Sequence, residues 1–138
     1  MTPGIPSSGV LPDTSAWVDY FRGRAGVGGE GVRQLLEGKG AFLCHPVRSE
    51  LIPFIQETGQ GASARRDLAM LPLLGDPPDL WERVIEYQKA LLRHGARGVV
   101  LDLMVVAVSI HHEIPVLSVD GDFRRHARHL PLKLWEPV

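Results

Sequence analysis

The fold is decided by the stretch Pro115-Val116-Leu117-Ser118-Val119-Asp120-Gly121-Asp122-Phe123. Its first five residues predict a strand, and the acidic turn that follows predicts the start of a helix. A similar unit stands near the beginning of the chain, where Val10-Leu11-Pro12 predicts a short strand and Asp13-Thr14-Ser15 predicts a helix start. Ligands of open parallel sheets bind beyond the carboxyl ends of the strands, so we expect Asp13, Asp120 and Asp122 to meet there.

Between these two units the hydrophobic pattern is mostly helical. The apolar run 99–110 predicts a buried helix, because twelve residues exceed the length of most strands. The element order predicts an α/β fold with a short, mainly parallel central sheet flanked by helices. Further expected elements are a strand over 41–44, a short helix around 32–36, helices over 46–55, 62–74 and 79–94, a loop over 22–31 and a last short strand over 132–135.

Length and composition predict one domain over residues 10–138, preceded by a flexible leader over residues 1–9. Lys plus Arg is 15 and Asp plus Glu is 16, and the resulting net charge of −1 excludes a polybasic nucleic-acid binder but allows a local basic patch. The single cysteine, Cys44, excludes an intramolecular disulfide framework. No apolar stretch approaches the roughly 18 residues of a membrane span, so we expect a cytoplasmic protein without a membrane partner.

Acidic residues occupy unexpected places in this pattern. Asp13, Asp120 and Asp122 follow predicted strands, Glu50 lies in an otherwise apolar helix, and Asp102 interrupts the run 99–110. Capping of helices would explain the three that follow strands, and Glu50 alone could simply face solvent. Neither explanation fits Asp102, because a buried carboxylate must be partnered, protonated or bound to a cation.

A convergence of these acids would favour a metal ion. Each pair of like charges at about 4 Å costs on the order of 4 kcal/mol at an effective dielectric near 20. Three or four carboxylates therefore stay together only with raised pKa values or with a divalent cation. Ligands that are all carboxylates select Mg²⁺ or Mn²⁺ over Zn²⁺.

The motifs around these acids resemble those of PIN-domain ribonucleases, particularly the VapC-type toxins. Residues 11–23 resemble the opening of that family, and the match continues at 49–52, 101–107 and 117–123. The resemblance implies an endoribonuclease that hydrolyses RNA phosphodiester bonds with Mg²⁺ or Mn²⁺. Two features depart from the family pattern, namely Pro53-Phe54 in place of a small or Gly-containing turn and the extra leader.

The same resemblance assigns roles to residues. The implied catalytic residues are Asp13, Glu50, Asp102 and Asp120; the implied metal ligands are Asp13, Asp102, Asp120 and Asp122; and Ser15 and Ser118 are implied supporting hydroxyl groups. Asp13 and Asp102 are expected as direct ligands, and Glu50 is expected to orient or deprotonate the attacking water.

Arginines near the predicted site are expected to hold the substrate, because guanidinium forks match phosphate. The RNA-binding candidates are Arg22, Arg24, Arg124, Arg125 and Arg128, and Arg65 and Arg66 form another pair. The neighbouring His126 and His129 are predicted to be surface residues. The run 26–31 formally fits a dinucleotide-binding G-x-G-x-x-G motif, but it follows a helix and is interpreted as part of a flexible loop.

The resemblance also implies partners: an RNA substrate (tRNA, rRNA or mRNA), a small cognate antitoxin and a second copy of the chain. Two alternative functions stay open. One is a receiver-like signalling domain, which also gathers carboxylates around Mg²⁺ but needs five alternating β-α units and a late lysine, for which only Lys133 is available. The other is a catalytically silent PIN-like binding module.

Overall fold

A computed structural model describes residues 4–56 and 61–137. Short strands alternate with longer helices along the chain. The elements in chain order are β1 (Leu11–Pro12), α1 (Thr14–Phe21), α2 (Val27–Glu37), β2 (Leu43–Cys44), α3 (His45–Gln56), α4 (Gly61–Ala69), β3 (Leu73–Leu74), α5 (Leu80–Arg93), α6 (Val100–His112), β4 (Val116–Leu117) and α7 (Gly121–Ala127).

All strand pairings in the described residues are parallel. β1 pairs with β4, and β2 pairs with β3. An isolated bridge between Val10 and Ala41 links the two pairs, and a second bridge joins Val116 to Leu134. The backbone order is therefore the Leu134 segment, β4, β1, β2 and β3. This confirms the predicted α/β fold with a short parallel sheet flanked by helices.

One helix prediction and one strand prediction need correction. The helix predicted over 62–74 ends at Ala69, and the residues after it include β3. Pro72 disfavours a helical conformation of the residue before it, and its carbonyl accepts from the Leu43 N–H at 2.9 Å. The strand predicted over 132–135 is reduced to the single bridge at Leu134.

The loop predicted over 22–31 is also wrong in its second half, because α2 begins at Val27. Glycines at 28, 29 and 31 are buried in this helix rather than free in a loop. A Cβ atom added to Gly31 would lie 2.6 Å from Leu117 Cδ2, and one added to Gly28 would lie 2.9 Å from Val119 Cγ1. The glycines therefore let α2 lie directly against the end of β4, which also contributes to the candidate site.

The helix predicted over 99–110 is confirmed as α6. It is apolar on nearly all sides, as expected for a helix surrounded by protein. Leu103, Val106, Ala107 and Val108 are completely buried. α3 runs unbroken through Pro53, so the proline does not divide that helix.

Part of the predicted leader contacts the domain. Ile5 is buried, and the carbonyl of Gly4 accepts a hydrogen bond from Trp135 Nε1 at 2.6 Å. We propose that the domain begins at residue 10, with Ile5 and Gly9 of the preceding segment buried and residues 1–3 outside the described part. No helix in residues 4–56 and 61–137 is both long enough and apolar enough to cross a membrane.

Candidate metal centre

Parallel pairing of β1 with β4 places two acids at one edge of the sheet. The Asp13 N–H donates to the Leu117 carbonyl at 2.9 Å, which joins the ends of the two strands. Asp13 then caps α1, accepting from the Ala16 N–H at 3.0 Å. Asp120 caps α7 in the same way, accepting from the Asp122 N–H at 2.9 Å. The expected capping role is therefore present at both acids, alongside their convergence.

Two serine hydroxyl groups hold the Asp13 carboxylate. Ser15 Oγ donates to Asp13 Oδ1 at 2.6 Å, and Ser118 Oγ donates to Asp13 Oδ2 at 2.6 Å. The side chain is 5% exposed, and burial raises its pKa while the hydroxyl groups and the Ala16 N–H act in the opposite direction. Ser118 Oγ also accepts from the Asp120 N–H at 3.0 Å. The serines thus connect the two acids at the strand ends.

Asp102 reaches the same edge from the first turn of α6. One carboxylate oxygen each from Asp102, Asp120 and Asp122 lie within 4.8 Å of one another, a spacing at which they could hold a metal ion. Partial burial, followed by the charges of Asp120, Asp13 and Glu50, raises the pKa of Asp102 from 3.8 to about 6. We call Asp102, Asp120 and Asp122 the acidic triad.

The acids line a small cleft of about 260 Å³. Its lining residues are Asp13, Thr14, Ser15, Glu50, Asp102, Val105 and Asp120. Glu50 lies on the exposed side of α3, and Thr14 Oγ1 donates to its Oε1 at 2.8 Å. Asp122 belongs to the acidic triad without lining the cleft, and it forms an ion pair with Arg125.

Sequence reasoning missed two residues of the cleft, Thr14 and Val105. Thr14 stands between Asp13 and Ser15, and all three are common capping residues. The sequence therefore did not distinguish Thr14 as the hydrogen-bond donor to Glu50. Val105 lies one helical turn after Asp102, on the same side of α6. The spacing of three residues could therefore have indicated that Val105 lies beside Asp102 in the cleft. The apolar side chain replaces water next to a carboxylate that is already half-buried.

The predicted RNA-binding arginines differ in their surroundings. Arg24 pairs with Asp19 at 3.3 Å, Arg124 pairs with Glu136 at 2.8 Å, and Arg125 pairs with Asp122. The guanidinium of Arg22 lies over the Phe54 ring, 5.2 Å from its centroid. Arg128 is exposed and forms no ion pair within the described residues.

The expectation that His126 is a surface residue is wrong. Its side chain is 4% exposed, and neither ring nitrogen has a hydrogen-bond partner within the described part of the chain. It lies beside Phe123, with 6.2 Å between ring centroids, on the side of α7 that faces the core. Burial lowers the pKa of His126, which favours the neutral ring.

The family model for the PIN domain matches residues 10–129. The chain belongs to the PIN domain family. This membership rules out the receiver-like alternative, and it agrees with the resemblance found in the motifs around Asp13, Glu50, Asp102 and Asp120.

Curated relatives of this PIN domain include two ribonucleases of Mycobacterium tuberculosis. Ribonuclease VapC11 is 28% identical over 123 residues, covering 86% of this chain and 92% of that protein. Ribonuclease VapC21 is 33% identical over 119 residues, covering 69% of this chain and 86% of that protein. This PIN domain is therefore similar to VapC-type members of the family.

Solved structures share the fold at lower sequence identity. VapBC-5 from Mycobacterium tuberculosis, described as a member of the VapBC family of toxin-antitoxin systems, matches with a TM-score of 0.66 and 20% identity over 96% of this chain and all of that chain. FitAcB from Neisseria gonorrhoeae matches with a TM-score of 0.70 and 15% identity over 91% of this chain and 96% of that chain.

The raised pKa of Asp102 predicts a pH-dependent effect on stability. The folded state binds the Asp102 carboxyl proton more tightly than the unfolded state does. Protonation of Asp102 therefore stabilises the fold fully below about pH 4, and this stabilisation is lost as the pH rises through about 6. Without metal, Asp102→Asn should therefore melt a few degrees higher than the wild type at about pH 8 and equally at about pH 4.

Thermal denaturation in the presence of EDTA measures this difference, with Asp67→Asn as a control for removing an exposed acid. Addition of Mn²⁺ should raise the melting temperature of the wild type and have little effect on Asp102→Asn. A lower melting temperature for Asp102→Asn at about pH 8 would contradict the proposed repulsion.

Proposed function

We propose that this PIN domain is a Mg²⁺- or Mn²⁺-dependent endoribonuclease that hydrolyses RNA phosphodiester bonds in the cytoplasm. The acidic triad is the observation that carries the proposal, because Asp102, Asp120 and Asp122 bring carboxylate oxygens within 4.8 Å in a chain of this family. Relatives that are named ribonucleases support the same reaction class. An oxygen-only ligand set fits a hard divalent cation.

In this proposal the acidic triad holds the ion. When bound, a divalent ion lowers the pKa of a coordinated water and neutralises charge that develops on the phosphate. Asp13 supplies a further carboxylate from the buried side of the cleft. Its Oδ2 accepts one hydrogen bond, from Ser118, and keeps a lone pair that can bind the cation. Ser15 and Ser118 hold that carboxylate in place, as outer hydrogen-bond donors do in metal sites.

Glu50 is the proposed general base. Its carboxylate lines the cleft, and the hydrogen bond from Thr14 fixes Oε1, which leaves Oε2 to accept a proton from the attacking water. Its exposed position on α3 lets the proton pass on to solvent. Arg22 is the best supported of the predicted RNA contacts, because it is unpaired with any acid in the described residues and lies over Phe54, one turn after Glu50.

Substitution of the acidic triad should abolish cleavage. Asp102→Asn and Asp120→Asn each remove a proposed ligand charge, and we expect each to lower the rate by at least about 100-fold, with Ser118→Ala lowering it by about 10-fold to 100-fold. Asp67→Asn should cleave at the wild-type rate. Labelled tRNA, rRNA and mRNA fragments incubated with Mg²⁺ or Mn²⁺, and with EDTA as the metal-free reference, provide the measurement.

Full activity of folded Asp102→Asn would refute this mechanism. A wild-type protein that binds Mn²⁺ but cleaves no RNA in any of the three classes would instead favour the silent PIN-like binding module. Cleavage that persists in EDTA would exclude the metal-dependent reaction.

We further propose that the chain is the toxin of a toxin-antitoxin pair and that it inhibits translation. The solved structures that share its fold include a toxin-antitoxin complex from Klebsiella pneumoniae, with a TM-score of 0.65 and 18% identity over 81% of this chain and 87% of that chain. The proposed partner is a small antitoxin protein that covers the acidic cleft.

Induced expression should stop growth and incorporation of labelled amino acids within one generation. Asp102→Asn should have no effect on growth, since it retains the surface but removes a proposed ligand. Co-expression of a cognate antitoxin should restore growth. Normal growth with a well-expressed wild-type chain would count against the toxin role.

A homodimer is the proposed assembly. Large apolar side chains are exposed at Trp81, Ile85 and Leu92, with exposures of 57%, 54% and 54%. Their spacing of four and seven residues places them on one side of α5, and an exposed apolar stripe that contains tryptophan is typical of a protein interface. We assign this stripe to contact with a second copy of the chain.

The mass in solution tests the assembly. Light scattering should give twice the 15.2 kDa of one chain, and Trp81→Glu combined with Ile85→Glu should give one chain mass. Glu82→Gln on the same helix serves as the control and should remain dimeric. A wild-type protein that is monomeric at high concentration would refute the homodimer.

A further inference from the structure

A groove lies between α3 and α4, apart from the acidic cleft. Its volume is about 470 Å³, and three arginines line it: Arg48 from α3, with Arg65 and Arg66 from α4. The remaining lining residues are Ile52, Ala62, Leu68 and Ala69. We call this feature the arginine groove.

The guanidinium groups of the arginine groove have no acidic partners in the described part of the chain. Five of the twelve arginines form ion pairs there, and none of those five lines the groove. Asp67 is the only acid within α4, and it lines a different pocket, together with Trp17 and Tyr20. Among the described residues, Arg48, Arg65 and Arg66 therefore give the groove a positive charge that no ion pair offsets.

The chemistry of the groove suits phosphate better than an apolar protein segment. Guanidinium groups bind phosphate oxygens through two parallel hydrogen bonds, and each of these arginines is exposed. The apolar lining comes from Ile52, two alanines and Leu68, which is only 3% exposed, so it offers no large hydrophobic anchor. A protein partner would need a larger apolar surface for a stable contact.

The position of α3 relates the groove to the acidic cleft. Arg48 and Ile52 lie one turn apart on one side of α3, and Glu50 is rotated by about 200° from each of them. A helix is about 10–12 Å across with its side chains, so the two features flank α3 at that separation. An RNA strand with its reacting phosphate in the cleft can cross the exposed side of α3 and reach the groove.

We propose that the arginine groove binds the phosphate backbone of the substrate RNA a few nucleotides away from the bond that is cleaved. The proposal rests on the proposed nuclease function and adds the direction in which the RNA leaves the cleft. Arg48, Arg65 and Arg66 act as positioning residues: they strengthen binding of a long RNA and do not touch the reacting atoms. The groove is thus a second RNA-binding surface, which joins the predicted pair Arg65 and Arg66 to Arg48.

Direct binding tests the groove without cleavage. Fluorescence anisotropy in EDTA compares the wild type with Arg65→Gln/Arg66→Gln, using a labelled single-stranded RNA of about 20 nucleotides. We expect Kd to rise about 10-fold, and the slope of log Kd against log salt to fall by about 1.4, because two phosphate contacts are lost. Arg48→Gln should weaken binding in the same direction.

The control for net charge is Arg93→Gln/Arg97→Gln. Both arginines are exposed, and neither forms an ion pair in the described residues, so the loss of two charges is matched outside the groove. This control should change Kd by less than about 2-fold, since only long-range attraction is reduced. Equal weakening of both double variants would overturn the proposal.

Cleavage kinetics provide a second readout. With the RNA of about 20 nucleotides, Arg65→Gln/Arg66→Gln should raise KM with kcat unchanged, because the groove contributes binding alone. A dinucleotide has only one phosphate, which occupies the cleft and leaves none for the groove, so the variant and the wild type should cleave it equally. A lower kcat, or an equal loss on both RNAs, would overturn the proposal.

The experiments distinguish failure of the proposed RNA binding by the arginine groove from failure of the proposed nuclease function. A wild-type chain that cleaves no RNA refutes the proposed function, while the binding measurement in EDTA still decides whether the groove holds RNA. Groove variants that bind RNA normally but lose an acidic protein partner would overturn the RNA proposal and assign the surface to that protein.

Discussion

Repulsion between carboxylates is the constraint on which the rest of this structure depends. Asp13, Glu50, Asp102 and Asp120 line one small cleft, and the raised pKa of Asp102 reflects both its burial and the charges of the other three. At about 4 Å each such pair costs on the order of 4 kcal/mol at an effective dielectric near 20. Only a scaffold that is stable by itself can hold these groups together in the absence of a cation.

The scaffold uses the same acids for its own stability. Asp13 and Asp120 cap α1 and α7, and the serines at 15 and 118 join the two caps across the pair of strands. Capping is therefore compatible with the proposed metal binding by the same carboxylate, because a cap engages one oxygen and leaves other lone pairs free. The two interpretations that competed at the level of the sequence describe the same residues.

The sequence predicted correctly those helices whose formation depends on residues close together in the chain. The run of apolar residues around Asp102 identified α6, and the capping residues identified the starts of α1 and α7. Prediction failed where contacts with distant residues decide the outcome. Leu73–Leu74 form a strand because β2 offers backbone partners, and the glycines of α2 are helical because Leu117 and Val119 occupy the space that side chains would need.

The sequence by itself determined the order and placement of the acids, since each lies at the end of an element or inside an apolar run whose type is set by nearby residues. The tertiary structure alone decided that Asp122 joins Asp102 and Asp120 in the closest group, while Asp13 lies behind them between two serines. It also placed Arg48 of α3 beside Arg65 and Arg66 of α4 in one groove. Contacts such as the hydrogen bond from Ser118 to Asp13 join residues far apart in the chain, so no periodic pattern of the sequence records them.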